Sequence, residues 1–459
     1  MNPTFKTLPL NPSLLKNLDD LGYTAMTPIQ QAALPHALAG RDLVAKAKTG
    51  SGKTAAFGIG IVNGLDTESF RTQALILCPT RELADQVAKE LRRLARTTRN
   101  VKILSLCGGS PMRPQIASLE HGAHIVVGTP GRIRDHLGRG TLPLNGITTL
   151  VLDEADRMLD MGFYDDIKKI IDRTPPKRQT LLFSATFPDS VLEIKKDFLR
   201  DPVDIRIDTE HEPERIAQYL YETSSSEKEK ALLRLLDHYQ PRNAIVFCNT
   251  KRTCTDVAEY LNGCGFHALD IHGDLEQYQR VETLVQFANG SCSILVATDV
   301  AARGLDIKDL EAVISYDIAF DPEVHVHRIG RTGRAGKTGL ALGLCGERET
   351  KQLDAIRGHM GIDLPLLSLD SLDRERSYDH RPVMATLRIS GGRKQKVRAG
   401  DILGALTKDA GLPGDAVGKI DIFDLEAYVA IKREFIEEAL QALRNGKIKG
   451  REFRIWNLE

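Results

Sequence analysis

Short apolar runs alternate with longer amphipathic segments through the first part of the chain. These runs are apolar on both faces, which predicts parallel strands covered by helices on both sides rather than a half-exposed antiparallel sheet. A polar or glycine-containing segment follows each run, and such segments carry ligand chemistry at the carboxyl edge of a parallel sheet. The predicted strands are 42–45, 74–78, 125–127, 150–152 and 180–183.

The same alternation restarts after an acidic stretch, 208–215, which contains Pro213 and is typical of a linker. Each apolar run is again followed by a polar loop, so the pattern predicts a second α/β domain of similar size. This second domain has no glycine-rich phosphate loop. Its predicted strands are 243–248, 268–271, 293–297 and 312–315.

A different pattern begins at about residue 381. Its order of predicted elements is β-α-β-β-α-β, the split βαβ arrangement of RNA-recognition-motif domains. The expected fold is therefore two tandem α/β domains, 1–207 and 208–362, a linker at 363–380, and a small α+β domain at 381–459. The elements predicted in this last domain are 384–389, 400–410, 419–423, 427–431, 435–443 and 453–456.

Composition is that of an ordinary globular protein, with 42% hydrophobic and 27% charged residues among 459. The net charge is zero, which by itself says nothing about nucleic acid. The charge is uneven, however: 381–459 holds 15 Lys and Arg against 11 Asp and Glu, and the remainder is acidic by the same margin. The C-terminal segment is therefore a distinct, mildly basic unit.

Seven cysteines occur without a CxxC pair, and most lie in apolar runs. Buried, reduced thiols are the interpretation that this favours, because a zinc site needs paired spacing. The N-terminus lacks the apolar core of a signal peptide, and no run approaches the ~20 apolar residues of a membrane span. We expect a cytoplasmic protein with no membrane contact.

A glycine-rich loop opening a helix occupies 47–54, and two carboxylates follow the buried run 150–152. Backbone N–H groups of such a loop wrap a β-phosphate, Lys53 reaches the β- and γ-phosphates, and the Thr54 hydroxyl can ligate Mg²⁺. Asp153 is suited to hold Mg²⁺, directly or through water, and Glu154 to orient a water. The chain is thus predicted to hydrolyse a nucleoside triphosphate. The other loop residues are Ala47, Lys48, Thr49, Gly50, Ser51 and Gly52.

Loops between residues 5 and 334 resemble, in order, the motifs of the DEAD-box RNA helicase family. A glycine-rich loop alone would identify only an NTPase, whereas the full ordered set is highly specific. In the first domain the matching segments are 22–23, 27–30, 47–54, 79–84, 108–109, 129–132, 153–156 and 184–186. In the second they are 245–250, 277–280, 297–307 and 327–334.

The resemblance implies roles around ATP. Phe5, Tyr23 and Gln30 match the adenine-recognising segment, and the Gln30 amide can both donate to and accept from an adenine edge. Asp306 matches the ribose contact. Arg331 and Arg334 match arginine fingers, whose planar guanidinium groups stabilise transition-state charge. Residues expected to couple the γ-phosphate site to domain closure are Ser184, Thr186 and His327, although Ser184 and Thr186 could instead cap the following segment.

RNA contacts are implied for loops at strand ends, where small residues and backbone N–H groups suit phosphate and sugar contacts. Such contacts position a strand without distinguishing its sequence, and the 2′-OH favours RNA. Helix capping is the alternative for the two threonines that precede predicted helices, Thr129 and Thr250. The implied contacts are Arg81, Gly109, Thr129, Gly131 and Arg132 in the first domain, and Thr250, Gly273, Arg280 and Thr298 in the second.

The C-terminal segment resembles that of the DbpA family, a bacterial branch of the DEAD-box proteins whose tail recognises large-subunit (23S) ribosomal RNA. Its predicted central strand has only Tyr428 where RNA-recognition motifs usually place several stacking aromatics. RNA is therefore expected to meet a basic surface more than the sheet, unless that surface is merely a solvated loop. The basic cluster consists of Arg393, Lys394, Lys396 and Arg398.

The predicted function is an ATP- and Mg²⁺-dependent RNA helicase, an RNA-stimulated ATPase that remodels short duplexes and is targeted to 23S ribosomal RNA during ribosome assembly. We expect a monomer. The alternatives are an ATP-gated RNA-binding scaffold, a general RNA chaperone without ribosomal targeting, and a DNA helicase.

Overall fold

A computed structural model describes residues 3–47, 50–207, 216–302, 310–333, 338–372 and 381–458. They divide into two compact units, one containing 3–207 and the other the described residues from 216 to 458. Among these residues, no helix is both long and apolar enough to span a bilayer.

The first unit is one seven-stranded parallel sheet between two layers of helices. Its strand order is β3-β4-β2-β5-β6-β1-β7. The strands are β1 Leu43–Lys46, β2 Ala74–Leu77, β3 Ile103–Leu106, β4 Ile125–Gly128, β5 Thr149–Asp153, β6 Gln179–Ser184 and β7 Val203–Arg206. The helices are α1 Pro12–Asp20, α2 Pro28–Leu38, α3 Lys53–Asn63, α4 Arg81–Leu94, α5 Met112–Leu119, α6 Pro130–Gly138, α7 Ala155–Asp160, α8 Tyr164–Ile171 and α9 Asp189–Phe198.

Alternate residues of each central strand enter different apolar cores. Leu181 and Phe183 of β6 lie in one core, and Leu182 lies in the other. All three side chains are buried, because helices cover both faces as the two-sided apolar runs predict. The five predicted strands are present, and the two additional strands, β3 and β7, lie at the sheet's edges.

The second unit contains another seven-stranded parallel sheet, with order β10-β11-β9-β12-β13-β8-β14. Its strands are β8 Ile216–Glu222, β9 Ala244–Cys248, β10 Ala268–Ile271, β11 Ile294–Thr298, β12 Ala312–Ser315, β13 Gly339–Cys345 and β14 Leu366–Ser368. Its helices are α10 Lys228–Tyr239, α11 Lys251–Gly263, α12 Gln277–Ala288, α13 Asp299–Ala302, α14 Pro322–Ile329 and α15 Thr350–Met360.

Part of the expected linker at 363–380 belongs to this sheet. Leu366, Leu367 and Ser368 pair in parallel with β8. Leu364 and Leu372 are buried in apolar clusters of the second unit. Their burial extends the folded second domain past residue 362 and places any linker beyond 372.

The C-terminal domain has an antiparallel sheet of order β16-β17-β15-β18. Its helices pack on one face of the sheet, against Ala385, Leu387 and Ile389. The predicted order β-α-β-β-α-β is confirmed, and with it the fold class. The elements are β15 Met384–Ile389, α16 Ala399–Gly404, a π-helical segment Ala405–Asp409, β16 Val417–Ile422, β17 Ala427–Lys432, α17 Ile436–Asn445 and β18 Ile455–Asn457.

Candidate active site and nucleic-acid contacts

The phosphate loop ends in a backbone conformation that requires glycine. Gly52 precedes α3 with φ 95°, and a β-carbon there would lie 2.5 Å from Nε2 of Gln30. Gly50 also has positive φ, at 86°. The loop therefore delivers the N–H groups at the start of α3 to a ligand, and a helix N-terminus favours anions. Lys48 and Thr49 lie outside the described residues.

Two buried charged groups at this edge have unfilled bonding capacity. Lys53 is 6% exposed, and its Nζ has no hydrogen-bond partner among the described residues; the same holds for Oδ1 of Asp153, which is 2% exposed. Burial raises the pKa of Asp153 to about 6, although the positive charge of Lys53 lowers it. An ammonium group needs an anionic partner and a buried carboxylate oxygen needs a cation or donor, so the pair fits phosphate and Mg²⁺.

Glu154 follows Asp153 in the left-handed region, with φ 53° and ψ 55°. Such a conformation is uncommon for a residue with a side chain and is characteristic of functional sites. It turns the chain between β5 and α7 and leaves the Glu154 side chain buried at the end of the strand. A carboxylate held there is suited to orient a water.

Asp156 connects this turn to the loop after β6. Its Oδ2 accepts from the Thr186 N–H at 2.8 Å and from the Thr186 hydroxyl at 2.8 Å, while Ser184 Oγ donates to the Thr186 carbonyl at 2.6 Å. Burial alone would raise the pKa of Asp156, but these hydrogen bonds hold it below its usual value. No cap is formed, since α9 begins only at Asp189. Ser184 and Thr186 are thus joined to the carboxylate segment, and Asp156 is a site residue that the predicted set omitted.

The expected adenine-contacting residues are joined to the phosphate loop. The Gln30 Nε2 donates to the Gly52 carbonyl at 3.2 Å, and its Oε1 accepts from the Thr27 N–H at 2.9 Å. Phe5 is buried with its ring edge-on to Tyr23 at 6.0 Å, and the Tyr23 hydroxyl donates to Glu90 at 2.5 Å. Phe5 and Tyr23 therefore stabilise the segment through packing, whereas Gln30 is the member that reaches the loop.

The predicted RNA contacts of the first unit meet at one edge of its sheet. Arg81 covers Gly109 so closely that a β-carbon on Gly109 would overlap its guanidinium group. Arg132 Nη1 donates to the Ser110 carbonyl and to Gln115 Oε1, both at 3.0 Å. Thr129 makes no side-chain cap, and a β-carbon on Gly131 would meet open space. The capping alternative is thus not observed for Thr129.

In the second unit the predicted contacts follow β9, β10 and β11. The Thr250 Oγ1 accepts from the Thr253 N–H at 3.1 Å, so here the capping role is observed. Arg280 donates to the His272 and Ala301 carbonyls, each at 3.4 Å, and thereby bridges the loops that contain Gly273 and follow Thr298. The strand-end loops of this unit therefore form one continuous edge.

The helix α14 carries His327 and leads into Arg331, whose side chain is buried. The preceding arginine, Arg328, is only 1% exposed and grips both carboxylate oxygens of Asp299 at 2.7 Å. It was not among the predicted site residues; the signal was a buried helix containing an arginine close to strand-end polar residues. Asp306 and Arg334 lie outside the described residues.

The basic cluster of the C-terminal domain is exposed and lies on a folded loop. Its backbone is held by the β16–β17 hairpin, with Arg393 N–H donating to the Phe423 carbonyl at 2.8 Å and Lys394 N–H to the Asp424 carbonyl at 2.9 Å. Lys449 Nζ donates to the Lys396 carbonyl at 3.1 Å, and Arg451 Nη1 to the Gln395 carbonyl at 3.4 Å. All four predicted residues, Arg393, Lys394, Lys396 and Arg398, are exposed, and Lys449 and Arg451 enlarge the surface.

The helix-free face of this small sheet packs on the second domain. Thr386 accepts from Asn289 Nδ2 at 2.9 Å and donates to Ser291 Oγ at 2.7 Å, and Arg388 Nη1 lies 2.8 Å from Glu282 Oε1. Tyr428 faces the same region, is 1% exposed, and donates to Glu426 at 2.8 Å. Tyr428 is thus an interior residue, as the expectation of little base stacking on the sheet requires.

Known proteins share these features over nearly the whole chain. Family models match at 27–194 (DEAD/DEAH box helicase), 227–336 (helicase conserved C-terminal domain) and 386–457 (DbpA RNA binding domain). The ATP-dependent RNA helicase DbpA of Escherichia coli is 53% identical over 458 residues, covering 98% of each chain. The DEAD-box ATP-dependent RNA helicase CshA of Bacillus subtilis is 45% identical, covering 78% of this chain and 72% of its own.

Solved structures agree. S. cerevisiae Dbp5 bound to RNA and ADP BeF3 is 30% identical with a TM-score of 0.74, covering 80% of this chain and 96% of that chain. The two parallel-sheet domains are therefore RecA-like. The chain belongs to the DEAD-box ATP-dependent RNA helicases and ends in the RNA-binding domain of their DbpA branch.

Proposed function

We propose that this helicase uses ATP and Mg²⁺ to remodel short RNA duplexes in large-subunit (23S) ribosomal RNA during ribosome assembly, acting in the cytoplasm as a monomer. The observation that carries the targeting is the exposed basic loop at 393–398, held by the β16–β17 hairpin. A folded cationic surface of this kind suits phosphate contacts. The similarity to DbpA of E. coli along the full chain supports the same assignment.

We assign domains at 1–207, 208–372 and 381–459, with the C-terminal domain delivering RNA to the helicase core. Lys53 binds the β- and γ-phosphates, and Thr54 and Asp153 hold Mg²⁺. The ion, when bound, neutralises charge on the phosphate oxygens. Glu154 orients the attacking water. Arg331 and Arg334 stabilise the transition-state charge, and Asp306 contacts the ribose.

RNA lies on the strand-end loops of both RecA-like domains, through the small residues and arginines described above. These contacts reach phosphate and sugar rather than base edges, so they position any sequence alike. Ser184, Thr186 and His327 couple hydrolysis to the RNA contacts. Specificity then has to come from the C-terminal domain.

The test is ATPase stimulation by a 23S ribosomal RNA fragment and by an unrelated RNA of equal length, with DNA of the same sequence as a third substrate. The variant replaces Arg393, Lys394, Lys396 and Arg398 by glutamine. A matched control removes four exposed cations of the first unit, Lys168, Lys169, Arg173 and Lys177. We expect the first variant alone to lose the preference for ribosomal RNA and to flatten the salt dependence of its binding, because fewer counterions are released.

Equal stimulation of the wild-type protein by the two RNAs would instead support a general RNA chaperone. Stimulation by DNA as strong as by RNA would contradict the RNA-specific assignment. Failure of RNA to stimulate multiple-turnover phosphate release would support an ATP-gated scaffold.

A further inference from the structure

One buried guanidinium group connects several strand-end loops of the second RecA-like domain. Besides both oxygens of Asp299, Arg328 donates through Nη2 to Asn249 Oδ1 at 2.9 Å and through Nη1 to the Asp317 carbonyl at 2.6 Å. Its guanidinium carbon lies 5.1 Å from the ring centroid of Phe247. The segments after β9, β11 and β12 are thereby bonded to a single side chain of α14.

The partners of Arg328 are next to proposed RNA contacts. Asn249 precedes Thr250 directly, and Asp299 follows Thr298 directly. On its own helix, the Arg328 carbonyl accepts from the Arg331 N–H at 3.1 Å. One side chain thus joins the neighbours of two RNA-contacting threonines to the segment that positions a nucleotide-contacting arginine.

A second buried cation fixes the outer part of the same network. Lys228 Nζ lies 3.1 Å from Asp317 Oδ1 and 2.7 Å from Glu349 Oε2, and it donates to the Tyr316 carbonyl at 2.8 Å. The other oxygen of Asp317 accepts from the Asn249 N–H at 2.9 Å. Asn249 also donates to the Ile318 carbonyl at 3.0 Å, so its position is determined from three directions.

The chemistry of the network requires arginine at its centre. Only a planar guanidinium group with several N–H donors can grip a carboxylate with two bonds and still reach an amide oxygen and a carbonyl. A lysine could satisfy one or two of these acceptors. Since the acceptors are buried, the loss of one donor leaves a polar group without a partner and lets its loop shift.

We propose that Arg328 is a positioning residue that couples RNA binding to nucleotide binding within the second RecA-like domain, with Asn249 and Asp299 as its links to the RNA-contacting loops. A shift of the Thr250 or Thr298 loop is transmitted through these bonds to α14 and hence to Arg331. RNA that orders the loops therefore orders the arginine. This inference rests on the proposed RNA-stimulated hydrolysis of ATP.

The experiment measures how much ADP with beryllium fluoride tightens binding of a short fluorescein-labelled oligouridine to the full-length protein. Asn249→Ala removes one link and leaves Arg328 in place; Arg328→Lys retains the charge and loses the fork. For each variant we expect the tightening to fall by about tenfold, within the usual range for coupling between two sites. RNA affinity without nucleotide should change much less, since Asn249 and Arg328 do not themselves contact RNA.

Asn262→Ala is the matched control. Asn262 lies near the end of the helix that Asn249 precedes, and its side chain also makes two bonds to the backbone, with Ala268 at 2.8 and 2.9 Å. It contacts no part of the Arg328 network that the described residues show. Its loss should lower the melting temperature as Asn249→Ala does and leave the nucleotide-dependent tightening at the wild-type value.

Three outcomes separate the possibilities. Tightening that falls in Asn249→Ala and Arg328→Lys but not in Asn262→Ala supports the coupling role. Wild-type tightening in Asn249→Ala, together with a lowered melting temperature, overturns it and leaves Arg328 a structural residue. Absence of RNA-stimulated hydrolysis in the wild-type protein would contradict the proposed function itself, which is a distinguishable result.

Discussion

Acidification should destabilise the second unit through His325, a histidine that is buried in its neutral form. The side chain is 4% exposed, and neither ring nitrogen has a hydrogen-bond partner among the described residues. Burial, reinforced by the positive charge of Arg328, lowers the pKa of His325 to about 4. Protonation in the folded protein would place a second cation beside Arg328 without a counterion.

The sign and size of the effect follow from linkage. In the unfolded chain the pKa of a histidine is about 6.5, so between that pH and about 4 the unfolded state binds the proton more readily. The contribution of His325 to stability is therefore complete above about pH 6.5 and is lost as the pH falls. The full difference corresponds to about 3.4 kcal/mol, of which about 2 kcal/mol is lost between pH 7.5 and pH 5.

His325→Phe retains an aromatic ring and removes the titration. Urea unfolding followed by circular dichroism at pH 7.5 and pH 5 should show a smaller acid-induced loss in this variant than in the wild-type protein, by about 2 kcal/mol. His359→Phe, an exposed position on α15, is the control and should leave the acid-induced loss unchanged. In proton NMR, the imidazole resonance missing from His325→Phe should not titrate between pH 7.5 and pH 5. A resonance that titrates near 6.5, or an equal acid-induced loss in His325→Phe, would refute the reasoning.

Three further predictions concern the polar groups of the other sites. Lys53→Ala and Glu154→Gln should each abolish RNA-stimulated phosphate release, while Glu154→Gln still binds a fluorescent ATP analogue; near-wild-type turnover would remove Glu154 from the catalytic role. Asp156→Asn should slow strand displacement far more than it weakens ATP binding, because the acceptor shared by the Thr186 N–H and hydroxyl is lost, at about 2 kcal/mol of local stability; equal losses in both assays would contradict a coupling role. Glu282→Gln should weaken docking of the C-terminal domain by about 1 kcal/mol, given the partial exposure of the ion pair with Arg388. The single tryptophan, Trp456, lies 5.1 Å from Arg388 and should report this by a shift in its fluorescence emission, and an unchanged spectrum and urea midpoint would contradict it.

The sequence predicted the strands that are covered on both faces and missed those at sheet edges. In β5, Leu150, Val151 and Leu152 are all buried, so a run of apolar residues identifies the strand. The edge strand β7 consists of Val203, Asp204, Ile205 and Arg206 and has only one buried residue. An edge strand needs no apolar pattern on its open side, which leaves no periodicity to detect.

Residues that contact a ligand were easier to predict than residues that position them. Lys53 and Asp153 lie in short contiguous motifs, so the sequence alone identifies them. Arg328 and Asn249 are 79 positions apart, and their bond depends on the packing of α14 against the end of β9. The burial of Tyr428 likewise depends on a partner in another domain, which no local pattern indicates.

Hydrogen-bond satisfaction distinguishes two kinds of buried charge at the strand-end loops of this helicase. In the first unit, Lys53 Nζ and Asp153 Oδ1 are buried and have no hydrogen-bond partner among the described residues, as expected of groups that a phosphate and a metal ion would satisfy. In the second unit, Arg328 and Lys228 are as deeply buried, yet protein oxygens surround both. A buried charge without a partner is stable only if a ligand spends time beside it, whereas a fully paired one holds its neighbours in place whether or not a ligand is bound. The first RecA-like domain is therefore built to bind the nucleotide, and the second to hold its RNA-contacting loops and Arg331 in one fixed arrangement.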